Sequence, residues 1–274
     1  MFQVSQSVIQ CHMHEVTLQG RDDLEGPETA SADANGSSAL EAIDLRKAYG
    51  RRPVLGGISL KVRQGEVVGL FGADGAGKTT TFYCMLGLVK PDAGRVMLNG
   101  SDITHLPFYR RAIMGLGYLP EQTSIFRGLT VAQNISAMLE LVEPDPDVRA
   151  GRLEELLNGL DVTHLRDASA NSLSGGERRR CEVARALALD PLFMLLDEPF
   201  AGIDPLTIAS IKSMIRDMKR RNIGILVTDQ NVPEMLSVID RAYVIDAGTN
   251  IYEGSPEAMM HDAAVLAHYL GNED

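Results

Sequence analysis

Gly72-Ala73-Asp74-Gly75-Ala76-Gly77-Lys78-Thr79-Thr80 follows the apolar run Val67-Val68-Gly69-Leu70-Phe71 and leads into Thr81-Phe82-Tyr83-Cys84-Met85-Leu86. This is strand, glycine-rich turn, helix, the setting a phosphate-binding loop requires. Gly72, Gly75 and Gly77 let the backbone curl so that successive N–H groups, that of Ala76 among them, converge on one anion. The helix opening at Lys78 aims its positive end at the same point. Lys78 can reach the β- and γ-phosphates of a nucleotide, and the Thr79 hydroxyl, followed by Thr80, suits a Mg²⁺ ligand. A turn that merely starts a helix does not account for the full G-x-x-x-x-G-K-T spacing behind a strand.

Upstream, Glu41 to Tyr49 reads as a strand. Gly50-Arg51-Arg52-Pro53 reads as a turn and Ile58 to Val62 as a second strand. Downstream, Pro91 to Gly94 turns, Arg95 to Leu98 is a strand and Asn99-Gly100 a hairpin turn. An antiparallel β portion therefore lies beside the phosphate-loop strand. From Thr130 the period becomes helical: Thr130 caps a helix through Val131, Ile135, Met138 and Leu139, Val148 to Leu160 forms another, and a third starts near Gly175. Strand and helix then alternate: Leu192–Leu196, Leu206–Arg221, Ile223–Val227, Val232–Val238 and Ala242–Ile245. That alternation predicts an α/β fold with a parallel sheet, interrupted by a helical insert at about 123–189.

Two further stretches carry chemistry. Leu195-Leu196-Asp197-Glu198 ends an apolar strand with two acids, which can place Asp197 near Mg²⁺ and Glu198 near an attacking water. Leu173-Ser174-Gly175-Gly176-Glu177 puts a Ser cap and two glycines at a helix start, a second anion cradle. The arginines that follow, Arg178 to Arg180, read as a solvated face or as ion-pair partners.

Composition sets the bounds. The 274 residues are 45% hydrophobic and 23% charged, as in a soluble globular protein with ample core. No window approaches the ~18 apolar residues of a membrane span, and no signal peptide opens the chain. Three dispersed cysteines fit a reducing cytosol. A net charge of −11 argues against nucleic acid as a partner. Residues 1–39 hold six acids against one arginine and few apolar side chains, the composition of a disordered tail. Cys11-His12-Met13-His14 in that tail lacks a second cluster to complete a metal site.

With these motifs in order, residues 40–274 resemble the ATP-binding cassette ATPases. Gly72–Thr79 is similar to their Walker A loop, Leu173–Glu177 to the signature motif, Leu195–Glu198 to Walker B with its catalytic glutamate, and Ala201–Asp204 to the D-loop. Tyr49 matches the aromatic that stacks on adenine. The resemblance implies a RecA-like parallel-sheet core, an antiparallel β subdomain and an inserted helical subdomain. It further implies ATP and Mg²⁺ as ligands, with Thr79, Asp197 and a glutamine, here Gln122, at the metal. The active form would be a homodimer, each ATP lying between one subunit's Walker A and the other's signature motif. Integral membrane subunits would dock in a groove near Ser124, Phe126 and Arg127, placing the chain on the cytoplasmic face of the inner membrane.

Finer likeness runs to the ATPase subunits of lipopolysaccharide exporters, through Thr79–Tyr83, Gly117–Pro120, Ser124–Phe126, Leu173–Arg180, Asp197–Asp204 and Thr228–Val232. Branched-chain amino acid importer ATPases are the nearest competitors. Four positions depart from the family. Glu121 stands where glutamine follows the proline, Gln230 replaces the switch histidine, and Ala73-Asp74 replace proline and asparagine. A hydrolysis-impaired regulatory subunit is the alternative that Glu121 and Gln230 suit, the change at Ala73-Asp74 being milder.

Overall fold

The computed structural model describes residues 38–270. The expectations of a disordered tail and of no metal at Cys11–His14 fall outside this range, apart from Ser38 and Ala39. Ala39 is buried and opens the first strand.

A four-stranded antiparallel sheet has the order β2-β1-β4-β5, with β1 Ala39–Tyr49, β2 Arg52–Arg63, β4 Ala93–Leu98 and β5 Ser101–Asp102. The second strand starts six residues before the expected Ile58, because Arg52-Pro53 is already paired with Ala48-Tyr49. β2 is an edge strand, so Pro53 loses nothing by lacking an N–H. The turn at Asn99-Gly100 has positive φ at both residues (51° and 79°), the mirror-image geometry that matches strand twist.

The six-stranded sheet has the order β10-β9-β3-β8-β7-β6. It comprises β3 Val67–Phe71, β6 Leu116–Leu119, β7 Phe193–Asp197, β8 Gly224–Thr228, β9 Arg241–Asp246 and β10 Thr249–Gly254. Only the β9–β10 pairing is antiparallel. All five residues of β3, β7 and β8 are buried, as strands covered on both faces must be. Their side chains divide by the period of two. Val67, Phe71, Met194, Leu196, Ile225 and Val227 pack on one side, with Ile135, Leu139 and Leu157 of the helical region. Val68, Leu70, Phe193, Leu195 and Leu226 pack on the other, with Phe82 and Met85 and with Leu45 and Ile58 of the antiparallel sheet.

The helices that bear on the site are α1 Lys78–Leu86, α2 Phe108–Ile113, α3 Val131–Val142, α4 Pro146–Gly159, α5 Gly175–Leu187, α6 Pro205–Arg220 and α7 Val232–Leu236. Thr130 caps α3 as expected, through a reciprocal box with Gln133, and Ser174 with Glu177 caps α5 in the same way. The sequence reading misses α2, β6 and β10, short elements of six, four and six residues. It also misses what α2 is for. Arg111, 1% exposed, donates from Nη1 to Cys84 O (2.9 Å) and Met85 O (2.6 Å), from Nη2 to Thr104 O and from Nε to Leu106 O. Its guanidinium thus holds two carbonyls of the last turn of α1, Met85 O and Cys84 O, the latter shared with the N–H of Gly87 (3.2 Å). Burial pushes its pKa down to about 10, so the cation persists at neutral pH. No helix among the described residues is long and apolar enough to cross a membrane.

Candidate active site

The parallel order brings four strand ends together. β3 delivers the phosphate loop, β8 delivers Thr228-Asp229-Gln230, β7 delivers Asp197-Glu198, and β6 delivers Pro120-Glu121. Ligands bind beyond the carboxyl ends of such strands.

Gly72 must be glycine: a Cβ there would stand 2.4 Å from Ile245 O, and its φ is 152°. Gly77 (φ 112°) turns the chain into α1. Lys78 is buried, and its ammonium donates to Gly72 O (2.6 Å) and Ala73 O (3.2 Å). Burial lowers its pKa, while the carboxylates of Asp74, Glu198 and Asp197 oppose that shift. Ala73, Asp74, Gly75 and Thr79 are exposed, so the mouth of the loop faces solvent. Tyr49, 43% exposed at the end of β1, presents a ring of the kind a base stacks on, with Lys47 Nζ 5.7 Å from its centroid.

Asp197 ends β7 at 6% exposure. Its Oδ1 accepts from Thr228 Oγ1 (2.8 Å) and its Oδ2 from Tyr118 OH (3.4 Å). Burial raises its pKa, the Glu121 charge adds to that, and the Thr228 hydrogen bond works against it. A buried carboxylate whose ionised form is short of positive charge fits a cation ligand. Among the described residues no group of three or more His, Cys, Asp or Glu could hold a metal alone. Mg²⁺ takes one or two protein oxygens and completes its shell with phosphates and water, a demand that the Asp197 carboxylate and the Thr79 hydroxyl fit. Thr79 and Asp197 would hold it.

Glu198 has φ 44°, in the left-handed region, a cost of about 1–3 kcal/mol for a non-glycine residue. The strain is held by its N–H, which donates to Thr228 O at 2.9 Å. Burial raises the Glu198 pKa, followed by the charge of Glu121. Asp229, expected only as a motif neighbour, is buried and accepts from Phe200 N (2.7 Å) and Asn231 N (2.8 Å). It fastens the loop after β7 to the loop after β8. Gln230 is exposed. Instead of facing an open anion position, its amide nitrogen turns to Asp74 Oδ1 and Glu198 Oε1.

Removing the Glu121 charge should let Asp197 and Glu198 ionise more easily. Their pKa values stand above the ordinary carboxylate range, so the active ionised forms are lost on acidification sooner than usual. Glu121→Gln is therefore expected to move the acid limb of the kcat/KM–pH profile to lower pH. An unmoved or upward-shifted limb contradicts this coupling.

A cleft of about 170 Å³ runs from Gly175, Arg178 and Glu182 of α5 to Glu198, Pro199 and Ala201, with Glu121 and Thr123 on its wall. Gln122, between those two, is exposed and is not part of that lining. The signature residues sit open: Ser174 and Gly175 are exposed, and a Cβ on Gly175 would meet nothing within 4 Å. Gly176 is tighter, since a Cβ there would stand 2.9 Å from Thr207 Oγ1. The Glu177 carboxylate accepts from Ser174 N (2.8 Å) and Ser174 Oγ (2.7 Å), which lower its pKa.

The segment after β6 is strapped to α5. Glu182 Oε1 accepts from Ser124 N (2.6 Å), while Arg185 donates to Ser124 O and Oγ (both 2.7 Å) and lies 4.7 Å over the Phe126 ring. Arg179 donates to Pro120 O (2.7 Å), and Asn134, fully buried, exchanges hydrogen bonds with the Phe126 backbone. Arg127 and Gly128 remain exposed on this rigid rim. None of these straps was anticipated. The clue available was the helical spacing of Arg178, Arg179, Glu182 and Arg185, which puts both signs of charge on one face of α5.

Comparison with known proteins agrees with this geometry. A family profile described as ABC transporter matches residues 55–201, more than half of the chain. A probable ABC transporter ATP-binding protein of Azorhizobium caulinodans is 53% identical over 251 residues, covering 92% of this chain and 89% of that protein. The lipopolysaccharide export system ATP-binding protein LptB of Acidithiobacillus ferridurans is 51% identical, covering 86% of this chain and 98% of its own length. Its counterpart from Escherichia coli K12 is 46% identical over the same shares. Among solved structures, an ATP-binding cassette of an ABC transporter in its ADP conformation has a TM-score of 0.76 at 27% identity, covering 86% of this chain and 99% of that one. The nucleotide loop at the centre of the sheet and the likeness along most of the chain place it in one family: it belongs to the ABC transporters, as an ATP-binding subunit.

Proposed function

We propose that the chain is the ATP-hydrolysing motor of an exporter that lifts lipopolysaccharide out of the inner membrane, working as a homodimer beneath integral membrane subunits. The observation that carries the cargo is the 46–51% identity to proteins named for lipopolysaccharide export, over 98% of their length. In each turnover a water oxygen bonds to the γ-phosphorus and the bond from that phosphorus to the bridging oxygen breaks. ADP leaves, and the water proton passes to Glu198, the general base. Lys78 and the loop N–H groups neutralise the phosphates, Tyr49 stacks on adenine, and Thr79 and Asp197 would hold Mg²⁺, whose positive charge would help neutralise the phosphates. Ser174, Gly175 and Gly176 close on the nucleotide of the opposite subunit. The rim at Ser124, Phe126 and Arg127 receives a short helix of the membrane partner.

Pull-down of the full chain from detergent extracts, with identification of the co-purified membrane subunits, tests this. Reconstituted into lipopolysaccharide-bearing vesicles, that assembly is expected to release lipopolysaccharide only with hydrolysable ATP. Recovery of importer subunits, or ATP turnover without lipopolysaccharide release, counts against export.

A second reading, a hydrolysis-impaired regulator, is favoured by Gln230 and Glu121. Gln230→His raises turnover more than about threefold if the glutamine is a defect. Wild-type turnover already equal to that of the repaired variant removes this reading.

A further inference from the structure

Gln230 touches two site residues at once. Its Nε2 lies 3.4 Å from Asp74 Oδ1 and 3.4 Å from Glu198 Oε1. Ionised carboxylates only accept, so the amide must face them with its nitrogen, and its two N–H groups serve one carboxylate each. That leaves the amide carbonyl oxygen for another donor, since neither ionised carboxylate can donate to it. A glutamine side chain has three rotatable bonds, and holding it costs more conformational entropy than holding an imidazole. Asp74 supplies the anchor. It sits in the phosphate loop between Ala73 and Gly75, 156 positions away from Gln230 in sequence, where a negative charge opposes phosphate binding. A carboxylate in that place costs nucleotide affinity unless it does something for the reaction.

We propose that Asp74 is a positioning residue for Gln230: it pins the amide nitrogen beside Glu198 and thereby aims the Gln230 carbonyl oxygen to accept a hydrogen bond from the attacking water. Glu198 and Gln230 then hold the two protons of one water, and its oxygen lone pair is left facing the γ-phosphorus. Two departures from the family pattern, aspartate in the loop and glutamine at the switch, form one device. A glutamine that orients a hydrolytic water without taking its proton is an established solution in other nucleotide hydrolases.

The proposal rests on the reading of this chain as an ATPase, and the test separates the two. Wild type, Asp74→Ala and Asp74→Asn are compared in full-length protein by steady-state hydrolysis and by ATP affinity. Asp74→Ala is expected to lower kcat by about tenfold or more, the scale of a misplaced reactant, with ATP bound as tightly as before or tighter. Asp74→Asn keeps a side-chain acceptor at the same position and is expected to retain kcat within about threefold of wild type. A structural role for Asp74 would instead weaken ATP binding and stability together. Selective ¹⁵N-glutamine labelling gives a readout independent of turnover: the Gln230 side-chain amide signal is expected to move in Asp74→Ala. Wild-type kcat in Asp74→Ala, or an unmoved Gln230 amide signal, overturns the proposal. No hydrolysis by wild type, alone or with its membrane partner, would instead remove the ATPase reading, and the amide signal would still decide whether Asp74 holds Gln230.

Discussion

Glu198→Gln protein is expected to bind ATP with undiminished affinity and to lose roughly 10²–10⁴ of its turnover, the contribution of a positioned general base. The substitution keeps shape and removes basicity. The backbone of residue 198 is held in its left-handed conformation by its own N–H bond to Thr228 O, which does not depend on the side chain. A glutamine there can still present its carbonyl oxygen to the Gln230 nitrogen. Affinity should survive because Lys78, Thr79 and the loop N–H groups lie on a different strand end. With ATP bound and uncleaved, size-exclusion chromatography is expected to show a stable dimer. Single-turnover hydrolysis within about threefold of wild type would mean that another group takes the proton. A persistent monomer at saturating ATP would mean that closure needs the membrane subunits.

The second large effect is on stability. Arg111→Met is expected to cost roughly 3–5 kcal/mol, read as a lower urea midpoint, with a fall in Tm of roughly 10 °C. Four backbone carbonyls lose a charged donor in a site that excludes water, and each such bond is worth about 1.5–3 kcal/mol before the cost of burying the guanidinium is subtracted. Methionine fills the space but donates nothing, so Met85 O loses its guanidinium donor and Cys84 O keeps only the N–H of Gly87. Because these close the helix that starts at the phosphate loop, ATP affinity should fall with stability. Arg111→Lys is expected to rescue little, since a point-like ammonium cannot reach carbonyls spread around a planar fork. A loss below about 1 kcal/mol would show that the carbonyls find other donors.

The parts of the site carried by contiguous spacing were legible in the sequence. Gly72–Thr80, Ser174–Glu177 and Asp197-Glu198 each announce their local backbone, because glycine, cap and strand-end signals act within a few residues. The α/β class and the antiparallel portion followed from period and turn chemistry. What stayed hidden depends on approach between distant segments. Thr228 on Asp197, Asp74 on Gln230 and Glu182 on Ser124 lie 31, 156 and 58 residues apart. Asp74 and Gln230 meet only because β3 lies beside β8 in the sheet, Thr228 and Asp197 because β7 and β8 pair in parallel, and Glu182 and Ser124 because α5 packs under the segment after β6. Arg111 was hidden differently: one of two adjacent arginines in a six-residue helix reads as surface, and only packing shows it buried. Pro53 misled in the opposite direction, since its turn signal is real but an edge strand tolerates it.

The same strand order has a cost in time. β3 is flanked by β8 and β9, so Val67 waits for Ile225 and Val68 for Arg241, about 160–170 residues later in the chain. At ribosomal rates of about 5–20 residues per second, both edges of the phosphate-loop strand stay bare for roughly 8 to 30 s during synthesis. The strand is five residues, all of them buried once folded and none charged. During that interval it is an open template for pairing with another nascent chain. The partial cover it receives early comes from Leu40, Leu45, Ile58, Phe82 and Met85, which share its packing on one face and precede or closely follow it in the chain. Slower elongation lengthens that exposure and is expected to lower the soluble yield of this protein.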